Sequence, residues 1–200
     1  MDRRDFLALS SGIAGMSLPG CLGLRDRTGL WTPWVSVGDV ADPGHDIGFD
    51  VEVTRQFDTD GPAELDVVAT NESTELREFR KRGTPPVLDT RTIESDGENE
   101  SLLIGSADIA PLVPEAPTDD CWRAPWLPGI EDFETSTEVA PDQAIGGSHV
   151  LLAPPADYQE TCMPPGEYHV ESELGIRSPG AETTVVVSLW FSLWLDKDGP

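Results

Sequence analysis

The chain has 200 residues, 38% of them hydrophobic and six of them Trp, too apolar for a disordered polymer and enough for one domain. Thirteen Lys and Arg stand against 37 Asp and Glu, giving a formal net charge of -24. Phosphate backbones and anionic leaflets both require a basic surface, so this balance argues against nucleic acid and against docking through a polybasic patch.

The first segment in chain order is an address. Arg3 and Arg4, with Phe6 and Leu7 close behind, precede a short apolar stretch that ends at Leu18. A secretory signal has this shape: a positive start, an apolar centre and small residues before the cut. The stretch is diluted by Ser and Gly and is too short for a bilayer core, which takes about 20 apolar residues. The paired arginines followed by Phe-Leu resemble a twin-arginine export motif. Leu18-Pro19-Gly20-Cys21 resembles a lipobox, whose Cys takes a lipid and becomes the first mature residue. An ordinary N-terminal helix would break at Pro19-Gly20, where it needed to continue. The expected division is a signal peptide over 1–20, a lipidated Cys21 with a tether over 21–44, and a β-sandwich domain over 45–200. On this reading the protein is exported and held at the outer face of the cell membrane.

Trp34-Val-Ser-Val37 is expected as a first edge strand with its rings in the core, although an indole in a tether can also sit at a membrane interface. Ile47, Phe49, Val51 and Val53 alternate with Asp50, Glu52 and Thr54, the mark of a half-buried strand. Phe57 to Pro62 reads as a turn, and Ala63, Leu65, Val67 and Ala69 as a second alternating strand. Asn71-Glu-Ser-Thr74 turns again before a third strand that starts at Leu76 to Phe79 and ends by Thr84-Pro85-Pro86, since Pro cannot donate to a ladder. A polar loop then runs to Ser101, followed by a short strand, Leu102-Leu103-Ile104. From Ala110 to Gly147 the chain is Pro-rich, acidic and without period; one short strand is expected inside it, with Cys121 pinning its start to the core. His149 to Ala153 and Glu167 to Ile176 are strand-like. Thr183 to Leu195 is apolar on both faces, which predicts the middle of a sheet or a patch that something covers.

With Cys21 assigned to lipid, Cys121 and Cys162 form an even pair in an oxidising compartment and are expected to make a structural disulfide. The acidity, with Lys only at 81 and 197, is like that of proteins from extreme halophiles, where concentrated salt screens self-repulsion.

The segments Leu65-Asp-Val-Val-Ala-Thr-Asn-Glu-Ser73 and Phe79 to Pro86 resemble the opening of haloarchaeal exported lipoprotein domains with an immunoglobulin-like fold. Asp120-Cys-Trp-Arg123 and Cys162-Met-Pro-Pro-Gly-Glu-Tyr168 are similar to their later half. More distantly, the strand, Asn-turn, strand opening and the Pro-Gly-Glu-Tyr segment are similar to the bacterial intracellular proteinase-inhibitor type domain. The resemblance implies an all-β, immunoglobulin-like antiparallel β-sandwich; it implies no chemistry, because a fold is not a function.

Motifs for catalysis are thin. Ser148 and His149 are adjacent, but neighbouring strand residues point to opposite faces and there is no Gly-x-Ser-x-Gly elbow. Glu167, His169, Glu171 and Glu173 share one face of a strand, where carboxylates and an imidazole are metal-ligand types; the solvated face of an acidic sheet has the same pattern. The spacing of Cys162 and His169 does not suit a blue-copper site, and Asp58-Thr-Asp-Gly61 lacks the closing Glu of a calcium loop. Arg77, Arg80, Lys81 and Arg82 place four of the thirteen basic residues within six positions, either as a patch for an anion or partner or as an edge strand guarded by charge. Asn71 and Asn99 open weak glycosylation sequons. The sequence thus points to a non-enzymatic binding or interaction module with no cofactor, bound to the membrane through Cys21 and facing a surface protein. A peptidase-inhibitor-like domain and a metal-binding enzyme built on Glu167, His169 and Glu171 are the alternatives.

Overall fold

The computed structural model describes residues 32–82, 87–95, 100–109, 111–129 and 134–197. In chain order their strands are β1 (Trp34–Val40), β2 (Ile47–Arg55), β3 (Glu64–Asn71), β4 (Arg77–Arg82), β5 (Arg91–Glu94), β6 (Ser101–Ser106), β7 (Glu134–Val139), β8 (Ala144–Leu152), β9 (Gly166–Arg177) and β10 (Val185–Asp196). They form two five-stranded antiparallel sheets: sheet A, in the order β1-β10-β9-β4-β7, and sheet B, in the order β2-β3-β8-β6-β5.

Period-two patterning decides which face of each strand is buried. Leu65, Val67 and Ala69 of β3 and Tyr168, Val170 and Leu174 of β9 are fully buried, and their alternate neighbours turn outward. On β10 the buried set is Val187, Leu189, Phe191, Leu193 and Leu195. Each such side chain contributes roughly 1.5–3 kcal/mol when removed from water. β3 and β8 lie close because Gly146 faces Val68: a Cβ there would stand 2.5 Å from the Val67 carbonyl oxygen. The outer edge of β1 is blunted by Gln56, whose amide donates to Val35 O and accepts from Val35 N, both at 2.8 Å.

Three features depart from what the sequence suggests, and one expected strand finds its place. β1 is the expected edge strand, within the stretch read as tether, but its alternation buries Val35 and leaves the Trp34 ring 40% exposed on the outside. β5 lies inside the stretch expected as a polar loop. The strand expected somewhere between 110 and 147 is β7, which pairs with β4. β4 is therefore an inner strand, and guarding a free edge is not the task of its basic residues.

The disulfide joins Cys121 to Cys162 as expected, with Cα atoms 5.9 Å apart. It ties two connecting segments rather than two strands. Trp122 beside it is buried and donates from Nε1 to Asp58 O at 2.8 Å. The Arg123 guanidinium is committed to the carbonyls of Pro154, Gln159 and Glu160. Asn71, read as a sequon on a surface turn, is fully buried. Its Nδ2 donates to Glu75 O and Val139 O while Oδ1 accepts from Ser73, so the residue staples the β3–β4 turn to β7. A glycan on that nitrogen would replace one of its two hydrogens and so remove at least one of these bonds.

Candidate functional site

The outer face of sheet A gathers most of the residues singled out in the sequence. Register places Trp194 opposite Ser36 on one side and Glu167 on the other, with Trp34 opposite Asp196. Trp190 pairs with Glu171, and Ser192 with His169. β10 is an inner strand, as its apolar character predicts, yet in a two-layer sandwich every sheet keeps one solvent face. Val186 and Trp194 are consequently 59% and 42% exposed.

The Trp194 indole lies across β1. A Cβ on Gly38 would run into Ser192 Oγ first and then into the edge of the indole, Nε1 at 3.0 Å and Cδ1 at 3.2 Å, so the two side chains meet β1 where it carries no side chain. The Ser192 hydroxyl, which accepts from Asp39 N at 3.1 Å, fixes β1 where its register slips between Val37 and Val40. Further along, the His169 imidazole packs on Trp190 with centroids 5.2 Å apart and planes tilted by 31°.

Glu167, His169, Glu171 and Glu173 do share this face. Glu171 accepts from Ser188 Oγ at 2.9 Å, and His169 is occupied with the indole. Among the described residues no group of three or more His, Cys, Asp or Glu side chains is placed to hold a metal ion.

At its other end the face opens into a cleft of about 530 Å³, where β4 leaves β9 after only three residue pairs. Arg80, Lys81, Asp89, Arg91, Glu134 and Glu173 line it. Strand alternation divides the basic cluster, and carboxylates from distant segments neutralise its described side chains. Arg77 meets Asp46 at 3.1 Å, Arg80 meets Glu134 at 2.7 Å, and buried Lys81 meets Asp89 at 2.8 Å. Arg91 shares the same Asp89 oxygen at 3.5 Å, while the buried Oδ1 of Asp89 makes no hydrogen bond. The side chain of Arg82 lies outside the described residues. Beside the cleft, Arg177 donates two bonds of 2.7 Å to Glu78, and these, with a bond from Ser136, hold the Glu78 carboxyl below its ordinary value.

Ser148 and His149 are not a catalytic couple. The Ser148 hydroxyl donates to Asp66, whereas His149 is buried on the opposite face with Nδ1 2.9 Å from Gly147 O and Nε2 3.3 Å from Leu88 O. Burial lowers the imidazole pKa and favours the neutral ring. Arg3, Arg4, Phe6, Leu7, Cys21 and Asn99 lie outside the described residues.

Sequence reasoning missed Gly38, Asp89 and Glu134. Gly38 carries no signal apart from being a glycine within a strand, and the two carboxylates are set by register and loop path.

What fold and surface define is a disulfide-bonded, two-sheet β-sandwich with an exposed aromatic and acidic face. Comparison with protein-family models, with curated proteins and with solved structures finds no match for the chain.

Proposed function

We propose that this protein is a lipid-anchored, extracytoplasmic binding module, adapted to concentrated salt, whose partner docks on the outer face of sheet A. The observation that carries the reading is the exposed Trp194, which shares the outer face of sheet A with exposed Trp34 and stands opposite Glu167. Large aromatic side chains exposed together on one sheet face leave apolar surface that a partner would cover. Arg3-Arg4, the lipobox-like Leu18 to Cys21 and the oxidised Cys121–Cys162 pair support the location.

An immunoglobulin-like arrangement of the sandwich belongs to the same proposal. The partial orders β2-β3-β8 and β10-β9-β4 support it, running as strands A-B-E and G-F-C of such a domain do, whereas β7 beside β4 follows β6 in the chain and so departs from the variable-type order. Tyr168, near the start of β9, donates its hydroxyl to Pro164 O at 2.7 Å, in the manner of a tyrosine corner. The cysteines depart from that pattern, since neither sits in a strand.

A photo-crosslinking residue at position 171 in intact envelopes tests the docking face, with position 52 on the outer face of sheet B as control. The expected result is an adduct from 171 that weakens in Trp194→Ala. Equal adducts from both positions, or none from 171, would overturn the proposal.

A further inference from the structure

We propose that the cleft between β4 and β9 binds a small zwitterion, an amino acid or short peptide, with its carboxylate inward and its cationic nitrogen outward. The site is separate from the docking face and takes a different class of ligand. Strand alternation gives the cleft its polarity. On β4, Lys81 points to the same side as buried Phe79. On β9, Ser172 points inward and donates to Val87 O at 3.0 Å, while Glu171 and Glu173 on either side of it face solvent.

The floor carries more positive charge than its own carboxylate answers. The Lys81 side chain is only 5% exposed, yet its ammonium has a single acceptor among the described residues, Asp89 Oδ2 at 2.8 Å. An ammonium has three N–H donors. Arg91 draws on that same Asp89 oxygen at 3.5 Å, so two cations share one carboxylate. Folded proteins pair nearly all buried donors, and donors left over at the floor of a cleft call for an acceptor from outside the chain. The rim is the reverse. Glu173 has no hydrogen-bond or ion-pair partner among the described residues, and Glu171 has only the Ser188 hydroxyl.

Charge selects among ligands. The lining holds three cationic side chains against four carboxylates, so a plain anion meets net repulsion and a plain cation leaves the Lys81 donors unanswered. A zwitterion is neutral overall and serves both ends. The cleft, at about 530 Å³, falls within the range of roughly 300–1,000 Å³ for small-molecule sites. Solvent and salt screen the exposed rim carboxylates, whereas the buried ammonium keeps its strength. Loss of charge at the floor should therefore cost more affinity than loss at the rim.

The test is ligand-observed saturation-transfer NMR of the full chain with glycine, diglycine and triglycine, using acetate and ethylamine as single-charge controls. At least one of the three zwitterions should take up saturation from the protein, and neither control should displace it. Lys81→Met should weaken that binding about tenfold or more, as loss of a charge-assisted bond to a buried ammonium does. Arg91→Gln removes a side chain that is 36% exposed and leaves Lys81 paired with Asp89; it should weaken binding severalfold and carries the test if Lys81→Met fails to fold. Glu173→Gln should weaken diglycine but not N-acetyldiglycine, which lacks the cationic nitrogen. The inference is overturned if none of the three zwitterions takes up saturation, which would leave the cleft to water alone, if acetate binds as tightly as they do, or if Arg91→Gln binds normally. Trp194→Ala should leave zwitterion binding intact, so the crosslink from position 171 and the titration judge the two sites separately.

Discussion

Removing the disulfide should cost the fold about 4 kcal/mol. Cys121 and Cys162 are 41 positions apart, and the loop they close contains β7 and β8. In the chain-entropy model, a loop of this length restricts the unfolded chain by about 4 kcal/mol at 25 °C. Native interactions around the bridge remain when it is cut, because Trp122 and Arg123 hold their segment to Asp58, Pro154 and Gln159 independently of it. The effect should therefore lie in stability and leave the architecture in place. The double variant Cys121→Ala/Cys162→Ala, followed by guanidinium unfolding at constant ionic strength, gives the number. With a slope of about 4 kcal/mol/M, the midpoint should fall by about 1 M. Dithiothreitol should reproduce that shift in the native protein. A midpoint that moves by less than about 0.3 M, or a variant that fails to fold at all, would refute the reasoning.

Asn71→Ala removes the two donors that Glu75 O and Val139 O rely on, and should destabilise the protein by about 2–3 kcal/mol in the same unfolding assay; an unchanged midpoint, or native protein carrying a glycan at Asn71, would contradict the stapling role. For Glu78 the sign follows from a folded pKa held below the unfolded one by Arg177 and Ser136. Its contribution is complete above the ordinary carboxylate range and is lost as pH falls through the folded value. Glu78→Gln should accordingly flatten the acid limb of melting temperature against pH, and superimposable limbs would count against it. Cys21→Ser should release the chain into the medium, detected by blotting cell and culture fractions; retention with the envelope would mean that something else anchors it.

The inner strands were readable because one face of each is wet, so Leu65, Val67 and Ala69 alternate visibly with polar neighbours. β7 and β5 were not. Glu134 to Val139 is an edge strand whose only fully buried residue is its last, and Arg91 to Glu94 is too short to show a period. The stripe Glu167-His169-Glu171-Glu173 follows from period two alone, but its nearness to Trp194 and Trp190 is a matter of register between β9 and β10. Placing Trp34 in the core failed for a related reason. Trp34 and Val35 cannot both point inward, and the core took the smaller residue. The basic run was visible as composition, whereas its neutralisation by Asp46, Asp89 and Glu134 depends on segments 31 to 54 positions away or folded back from the next loop.

The claim on which location, oxidation and docking face all depend is that a lipid on Cys21 holds the domain outside the cell. Intact-mass spectrometry of the protein isolated from its native envelope addresses it directly. A chain that begins at Cys21 and carries the added mass of an acyl or isoprenoid group is the predicted result. A chain with Met1 in place and no added mass would contradict it.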